Sequence, residues 1–356
     1  MGVTRVMLRT PDGELVRRDI ASGVWGPSEG DASEVVGEGL WALPGLTDAH
    51  AHLARETLDQ KPGDLEGAKQ RARGALDAGV GLVLDKGWDD LTTVELIDTV
   101  PQAERPVIEA AGRICTVEDG YWPNFGRVVD SGDFERVMIE SAREGRGWIK
   151  LVGDWPRRGI GPLPNFTEHQ LEKAVAIAEA SGARVAVHTM AHEVPSMAVR
   201  AGVHSIEHGL FLTEEDMGAL GARGGSWVPT VVQVEALIRQ FGAESSGGRL
   251  FAEGLANITR LLRRAVEAGV RVLTGTDLAV GTSEVALEAI RLWELGLDAP
   301  SVVAAVSLNG LAATGRDSGF AIGTPANVVF FDVNPAEDPR ALAHPSVIFW
   351  HGRRVR

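Results

Sequence analysis

The stretch LPGLTDAHAHL, residues 43–53, is the first of the strand candidates that decide the fold class. It is an apolar segment that ends in two histidines with one residue between them. Side chains two residues apart in an extended strand point the same way. We therefore expect His50 and His52 to converge on one point at the end of a buried strand. Imidazole nitrogens are common ligands of zinc and related metals. Neutral histidines also occur in protein cores, so a metal site requires further ligands elsewhere in the chain.

Strand-like and helix-like segments alternate along the chain after this stretch. The eight apolar strand candidates are LWALPGLTDAH, VGLVLDKG, RPVIEAAGRI, GWIKLVGD, ARVAVHT, VHSIEHG, GSWVPTV and VRVLTGTD. Strands that alternate with helices predict parallel βαβ units, and eight such units predict a (β/α)8 TIM barrel, an α/β fold. An open doubly wound sheet is the alternative, but no dinucleotide-binding or P-loop glycine pattern follows any of these strands.

Both ends of the chain have the texture of short β-strands separated by turns. Residues 1–45 contain TRVMLRT and ELVRRDIA, and residues 320–356 contain ANVVFFDVNP and SVIFWHGRRVR. We expect these two segments to form one small composite β-sandwich. Residues 46–319 would then form the barrel.

Composition restricts the class of protein. The 356 residues are 44% hydrophobic and 24% charged, as in a globular chain with a large core. The formal net charge of −14 argues against nucleic acid and anionic membranes as partners, because both require a basic face. A single cysteine, Cys115, excludes an internal disulfide framework and a cysteine-based zinc site. The N-terminal MGVTRVMLRTPDGEL lacks the apolar core of a signal peptide, which predicts a cytoplasmic protein.

Polar residues stand at the predicted C-terminal ends of several barrel strands, where TIM-barrel active sites lie. These residues are His50 and His52 (strand one), Lys150 (strand four), His188 (strand five), His208 (strand six) and Asp277 (strand eight). Four histidines and an aspartate are a nitrogen and oxygen ligand set that suits zinc, manganese or cobalt. The sequence therefore predicts a metal site at the barrel mouth.

Each of these residues has a structural explanation when it is taken alone. His188 could be a hydrogen-bonded core histidine, Asp277 could cap the following helix, and Lys150 could extend towards solvent from a strand end. Their joint occurrence at the ends of different strands favours the metal site. Two other candidates are expected to be structural: Lys86 after strand two, and His204, which we place on the barrel floor below His208.

This pattern resembles the amidohydrolase superfamily: a His-x-His pair after strand one, then lysine, histidine, histidine and aspartate after strands four, five, six and eight. LPGLTDAHAHL and AGVHSIEHG are similar to its strand-one and strand-six motifs, and FAIGTPANVVFFDVNPAEDP is similar to its return into a small sandwich domain. Within the superfamily, the chain is most similar to imidazolonepropionase-like and prolidase-like metal-dependent enzymes. The resemblance covers nearly the whole chain.

The resemblance implies a binuclear metal centre. His50, His52 and Asp277 would hold the more buried divalent ion, and His188 and His208 the more exposed one. The metals would be zinc first, with manganese, cobalt or iron as alternatives. A carbamate, formed on Lys150 from carbon dioxide, would bridge the two ions. Burial and nearby cations disfavour the ammonium form of lysine, leaving the neutral amine that carbamylation requires.

The implied reaction is hydrolysis of a C–N bond in a small-molecule amide, dipeptide-like or cyclic, by a metal-activated water. Asp277 would act as the proton shuttle, with Lys150 and His208 as the other catalytic residues. The sequence leaves open whether the chain forms a homo-oligomer.

Other reactions on the same barrel remain open. One is a mononuclear deaminase or ring-opening cyclic amidohydrolase with an unmodified Lys150. Deaminases of the superfamily usually carry a glutamate three residues after the strand-five histidine, where this chain has Ala191. A metal-dependent lyase or isomerase, or a non-hydrolytic binding protein, is also compatible, because a fold does not determine a reaction.

Substrate contacts are expected from two loops that combine aromatic residues with arginines. YWPNFGR, residues 121–127, follows strand three, and DWPRRG, residues 154–159, follows strand four. Such loops could hold a planar, partly anionic molecule. The candidate substrate-binding residues are Tyr121, Arg127, Arg157, Arg158 and His192.

Overall fold

The computed structural model describes residues 3–55, 63–157, 160–317 and 319–356. Of the candidate residues, Arg158 lies outside these ranges. The chain begins with five strands that contribute to a small sheet. They are β1 (Thr4–Arg9), β2 (Leu15–Ala21), β3 (Val24–Gly26), β4 (Glu34–Val36) and β5 (Trp41–Leu43).

Twelve further strands lie in the central part of the chain. They are β6 (Leu46–Ala51), β7 (Val80–Asp85), β8 (Val107–Ala111), β9 (Cys115–Thr116), β10 (Arg127–Val128), β11 (Gly147–Val152), β12 (Asp154–Arg157), β13 (Gly161–Pro164), β14 (Arg184–Thr189), β15 (Ser205–His208), β16 (Ser226–Val228) and β17 (Arg271–Val272). Eight of them form a parallel sheet in the order β6-β7-β8-β11-β14-β15-β16-β17. These eight correspond to the predicted strands in the predicted sequence order.

Helices follow the strands of this sheet. They are α1 (Leu65–Asp77), α2 (Thr92–Thr99), α3 (Phe134–Glu144), α4 (Glu168–Ala180), α5 (Val194–Arg200), α6 (Glu214–Ala222), α7 (Val231–Phe241), α8 (Ser246–Glu267), α9 (Val285–Glu294), α10 (Ala299–Val303) and α11 (Asn309–Ala313). A capping box at Thr167 and Gln170 fixes the start of α4, as the sequence indicates. Among the helices described, none is both long and apolar enough to cross a membrane.

The parallel sheet curls so that its two edge strands approach each other. Backbone hydrogen bonds run from Ala49 N to Thr274 O and from Asp277 N to His50 O, both 2.7 Å long. Trp148, Ala186 and Val228, from different strands, pack in one buried cluster on the inside of the curl. The architecture is that of a TIM-like barrel, and the predicted α/β class is confirmed.

The last three strands, β18 (Val328–Phe331), β19 (Val347–Trp350) and β20 (Arg353–Arg354), join the N-terminal strands. The result is one eight-stranded sheet in the order β20-β19-β18-β5-β1-β2-β3, with β4 paired to β1. The two ends of the chain thus share a sheet. The described strands of this region belong to a single sheet, so a two-layer sandwich is not confirmed, and the domain division at residues 45 and 320 stays a prediction.

His204 does not lie on the barrel floor, and that expectation was wrong. Its side chain is 25% exposed, and Nε2 lies 3.5 Å from Oε1 of Glu179 on α4. The reason is strand alternation: Glu207 points into the barrel, and Ile206 packs in the core outside the sheet. His204 is on the same face as Ile206, towards the helices.

Candidate active site

Three of the predicted ligands meet where β6 ends. One ligand atom from each of His50, His52 and Asp277 lies within 4.8 Å of the others. Asp277 Oδ1 is 3.3 Å from His52 Nε2 and 3.8 Å from His50 Nε2. Gly87 O lies 2.7 Å from the other ring nitrogen of His52, which leaves Nε2 facing the aspartate. This trio has the spacing of side chains that can share one ion.

The remaining predicted ligands adjoin this trio. His208 Nε2 lies 3.0 Å from His188 Nδ1 and 4.0 Å from Asp277 Oδ2. Thr230 Oγ1 lies 2.7 Å from the other nitrogen of the His208 ring. Lys150 is buried on β11, and its Nζ has no hydrogen-bond partner among the described residues. The structure thus brings all six predicted ligands to one end of the barrel.

Positive backbone φ angles shape the site. Asp277 has a φ of 50° and His208 a φ of 62°, in the left-handed region that residues other than glycine seldom adopt. Strand alternation alone would put Glu207 inside the barrel and His208 outside. The left-handed turn at His208 brings its ring to the mouth as well. Backbone strain at residues that lie close together in space is typical of functional sites.

Glu207 is a member of the site that the sequence analysis missed. Its Oε2 lies 2.6 Å from His50 Nδ1, and its Oε1 lies 3.4 Å from Lys86 Nζ. Ser205 Oγ donates to the same Oε1 at 2.5 Å. Both Glu207 and Lys86 are fully buried. The available signal was the buried lysine in LVLDKG, because an ammonium group in a barrel interior requires an anion.

Three buried aspartates hold the loops at the strand ends. Asp48 accepts from Thr276 Oγ1 at 2.6 Å, which joins β6 to the segment before Asp277. Asp85 accepts from the backbone N of Leu53 and of Gly87. Asp154 accepts from Met190 N through both oxygens. These bonds join neighbouring loops to one another. They therefore help to fix the backbone that carries the predicted ligands.

Burial keeps most of the site histidines neutral. It lowers the pKa of His50 to about 4 and that of His208 to about 3, with the charge of Lys150 contributing to both shifts. The pKa of His188 is also well below its ordinary value, for the same reasons. Neutral imidazole is the form that binds metals. Burial alone would also lower the pKa of His52, but the hydrogen bond and charge of Asp277 raise it above its ordinary value.

The pKa values of Asp277, Glu207 and Lys150 are also shifted from their ordinary values. Burial alone would raise the pKa of Asp277, but the surrounding histidines lower it below its usual range. Burial likewise opposes ionisation of Glu207, but the charge of Lys86 prevails and lowers its pKa, with the hydrogen bond from His50 contributing. Burial lowers the pKa of Lys150 to about 8. Both carboxylates are therefore anionic at neutral pH, and the neutral amine of Lys150 is accessible.

The predicted substrate-binding residues have different surroundings. Tyr121 lies beside the site, with its ring centroid 6.4 Å from that of His188. Arg127 is paired with Glu144 on α3, and Arg157 donates to Asn165 Oδ1 at 2.8 Å and to Asp119 O. His192 is exposed and stacks on Phe211, with ring centroids 3.7 Å apart. Of these residues, Tyr121 is the one with a contact to a predicted ligand.

The sequence profile of the amidohydrolase family matches residues 41–355. The chain belongs to the amidohydrolase family. It is therefore a hydrolytic enzyme of the class that acts on C–N bonds, as the resemblance implies. The family is generally metal-dependent, in agreement with the ligand trio of His50, His52 and Asp277.

The chain is also similar to several individual proteins. An uncharacterized protein of Mycobacterium tuberculosis is 29% identical over 360 residues, covering 97% of this chain and 94% of the relative. Aspergillus niger ochratoxinase is 25% identical over 255 residues, which are 66% of this chain and 52% of that enzyme. Among solved structures, a Xaa-Pro dipeptidase with bound methionine has a TM-score of 0.84, with 22% identity and 99% of both chains covered. At this identity the structural likeness shows a shared fold.

The residues of this amidohydrolase suit a metal centre. The donor set is nitrogen and oxygen, and two donor atoms, Lys150 Nζ and His188 Nε2, are buried with neither a hydrogen-bond partner nor an ion pair among the described residues. A buried polar atom without a partner is costly unless something binds it. The site therefore fits divalent metal ions at the barrel mouth.

Proposed function

We propose that this amidohydrolase uses two divalent metal ions to hydrolyse a C–N bond in a small amide, either dipeptide-like or cyclic. The observation that carries the proposal is the meeting of four histidines, Asp277 and Lys150 at one barrel end. Two of the donor atoms there, Lys150 Nζ and His188 Nε2, are buried and have no hydrogen-bond or ion-pair partner in the described part of the chain. Burial keeps three of the histidines neutral and ready to act as ligands.

The residues divide into two ligand groups in this proposal. His50, His52 and Asp277 would hold one ion and His188 and His208 the other, and Lys150, as a carbamate, would supply a further anionic ligand. When bound, zinc or a similar ion supplies a Lewis acid for the amide carbonyl and lowers the pKa of a water molecule. The low pKa of Lys150, which follows from its burial, favours the neutral amine that carbon dioxide modifies.

Asp277 is the residue placed to move the proton. Its carboxylate is ionised and lies close to His52, His50 and His208, so it borders both ligand groups. A carboxylate there can take the proton of the nucleophilic water and deliver it to the leaving nitrogen. Glu207 and Thr230 hold the outer ring nitrogens of His50 and His208 and so orient both rings.

The names of related proteins support amides of modest size as substrates. Solved structures of similar fold include a Xaa-Pro dipeptidase and Aspergillus niger ochratoxinase, the latter with a TM-score of 0.81. A prolidase complexed with N-methylphosphonate-L-proline has a TM-score of 0.79. A screen of small N-acyl amino acids, dipeptides and cyclic amides is therefore the starting point.

Metal content per chain tests the binuclear proposal. Protein purified without chelators and with bicarbonate should contain about two ions per chain, and Lys150→Ala should lower this to about one, because the bridging group is lost. Lys173→Ala is the matched control, since Lys173 is an exposed lysine paired with Glu135 on the barrel surface. The control should retain the wild-type metal content.

Other outcomes favour the alternatives. About one ion per chain in the wild type, unchanged in Lys150→Ala, contradicts the bridged centre and favours a mononuclear deaminase or ring-opening enzyme. Reaction in oxygen-18 water separates hydrolysis from a lyase or isomerase reaction. A hydrolase places the label in its product.

A further inference from the structure

Five aromatic side chains line one side of the barrel mouth, and we call them the aromatic wall. Three loops contribute them: Trp88 follows β7, Tyr121, Trp122 and Phe125 lie between β9 and β10, and Trp155 is on β12. Their rings pack edge to face or tilted. The centroid distance is 4.4 Å for Tyr121 and Trp122 and 4.6 Å for Tyr121 and Trp155. Residues distant in sequence thus form one continuous surface.

The aromatic wall contacts the proposed metal ligands directly. The ring of Trp88 lies 5.3 Å from that of His52, and the ring of Trp155 lies 5.9 Å from that of His188. Tyr121 also faces His188. The wall therefore borders the proposed ligands on the side of His52 and His188.

Most of the wall remains accessible. Tyr121, Trp122, Phe125 and Trp155 are half-buried, and all four line one cavity. Half-buried rings in a cavity wall leave a face or edge free for another planar group.

The arginines near the wall are already engaged with protein groups. Arg157 binds Asn165 and the backbone of Asp119, and Arg127 pairs with Glu144. Arg55 Nη2 lies 3.0 Å from Asp90 Oδ2, whereas its Nη1 is buried with no hydrogen-bond partner among the described residues. Arg127 and Arg157 therefore do not make the wall a carboxylate-binding surface, and in the described part of the chain Arg55 Nη1 is the one buried donor of these three arginines that has no partner.

We infer that the aromatic wall binds an uncharged aromatic ring attached to the scissile amide. The inference rests on the proposed hydrolysis and names the substrate class of that site. Offset and edge-to-face contacts favour an aromatic ring over a saturated ring of the same size. The loops that carry the wall then select substrates by planarity rather than by a negative charge.

Matched amides test this selectivity. The ratio of kcat/KM for a benzoyl amide to that for the corresponding cyclohexanecarbonyl amide should be well above one. Trp155→Leu should lower this ratio about tenfold, equivalent to ~1.4 kcal/mol of lost ring contact. Trp41→Leu is the control, because Trp41 is a half-buried tryptophan in the small sheet, under the guanidinium of Arg9. Trp122→Leu provides a second variant in case Trp155→Leu does not fold.

A binding measurement separates this inference from the proposed function. Calorimetric titration of metal-free protein with benzamide and with cyclohexanecarboxamide needs no turnover, because the wall consists of protein side chains. Tighter binding of benzamide that is lost in Trp155→Leu supports the wall even if no amide is hydrolysed, and then only the hydrolytic proposal fails. Hydrolysis without aromatic preference overturns the inference and leaves the proposed function standing.

Charge is tested with the same acyl group. N-benzoylglycine and its carboxamide differ in one negative charge, and the carboxamide should be hydrolysed at least as well. A preference of more than tenfold for the free carboxylate would show an anion site at the mouth and overturn the uncharged class. Absence of both hydrolysis and benzamide binding overturns the inference and the proposed function together.

Discussion

A buried carboxylate beneath His50 organises the centre of the site at the scale of single residues. Glu207 lies between His50 Nδ1 and Lys86 Nζ, at 2.6 and 3.4 Å. The Nζ of Lys86 also lies 4.1 Å from the centre of the Trp148 ring. The carboxylate holds the outer nitrogen of the imidazole and leaves Nε2 towards Asp277. A carboxylate behind a metal-binding histidine orients the ring and raises its basicity.

Glu207→Gln should therefore weaken metal binding about 10- to 100-fold, because His50 loses its orienting charge. Competition with a chromophoric chelator measures this affinity without any substrate. Glu215→Gln, an exposed glutamate on α6, is the control and should bind metal like the wild type. An unchanged metal affinity in Glu207→Gln would contradict an orienting role.

A second variant separates orientation from stability. Glu207→Gln leaves Lys86 buried without an anion, which costs about 3–5 kcal/mol when a buried pair is broken. Adding Lys86→Met removes the unpaired charge, so the double variant should recover much of the lost free energy of unfolding. Its metal affinity should stay low. Recovery of both properties would show that Glu207 serves only to neutralise Lys86.

Sequence reasoning identified the six ligand candidates because they stand near the ends of five different strands, with His50 and His52 sharing the first. It missed Glu207 because Glu207 and His208 are adjacent, and strand alternation allows one of two neighbours to point inward. The left-handed φ of His208 makes both point inward. No local pattern indicates that angle at a histidine. The partners of Arg127 and Arg157 could not be predicted either, because Glu144 and Asn165 contact these arginines only in the folded chain.

At the scale of elements, one helix caps another beside the barrel mouth. The side chain of Glu288, on α9, accepts from Val231 N at 2.8 Å and from Val232 N at 2.9 Å. These amides open α7, whose N-cap residue Thr230 makes no side-chain capping bond. Glu288 thus replaces a local cap. Because Thr230 also contacts His208, the cap helps to hold the ligand side of α7 in place.

This cap predicts a pH dependence of stability. Burial raises the pKa of Glu288 to about 8 from 4.5, and the charges of Asp48 and Glu235 add to the effect. Between these two values the folded state binds more protons than the unfolded state, so its stability falls as pH rises towards 8. Glu288→Gln resembles the protonated acid. It should already be the more stable protein near pH 6, and its advantage over the wild type should be larger near pH 9.

Urea unfolding of both proteins at these two pH values measures the effect. Glu253→Gln is the control, an exposed glutamate on α8 that should follow the wild type throughout. Changes common to all three proteins, including loss of metal at the lower pH, cancel in the comparison. If Glu288→Gln were the less stable protein near pH 9, the carboxylate would be charged in the folded state and its hydrogen bonds would outweigh its burial.

The elements themselves were largely predictable. The eight barrel strands have apolar runs, and helices such as α4 carry their capping residues in the sequence. The β12–β13 hairpin and the β9–β10 pair were not expected, because their strands are short and lie inside loops. Their pairing depends on contacts with neighbouring loops, such as the bond from Asn165 Nδ2 to Gly120 O. These same loops carry most of the aromatic wall, so the surface on which the inferred substrate class rests could not be predicted from the sequence.

At the scale of the whole molecule, the small sheet and the barrel share bonds and a core. Trp350 Nε1, on β19, donates to Gln102 O of the barrel at 3.1 Å. Trp25 Nε1 donates to Gly319 O at 2.8 Å. Ile348 of the small sheet belongs to the same buried cluster as the barrel helices. The sheet is thus continuous with the barrel in its packing.

Two adjacent residues of β18 allow this continuity to be tested. Phe330 and Phe331 are both fully buried, but they point to opposite faces of the strand. Phe330 packs in the cluster confined to the small sheet, and Phe331 packs in the cluster that includes the barrel. Truncation of a buried phenylalanine to alanine costs about 3–5 kcal/mol. We expect Phe330→Ala and Phe331→Ala to lower the free energy of unfolding by similar amounts, each with a single transition.

Unfolding followed by tryptophan fluorescence and by far-ultraviolet circular dichroism distinguishes one cooperative unit from two. Coincident transitions in both variants indicate that the sheet and the barrel unfold together. Val333→Ala is the control, because Val333 is 50% exposed and its truncation should change little. An early, partial transition in Phe330→Ala, absent from Phe331→Ala, would show that the small sheet unfolds by itself. The metal site would then survive loss of the sheet, because its ligands all come from residues 50–277 of the barrel.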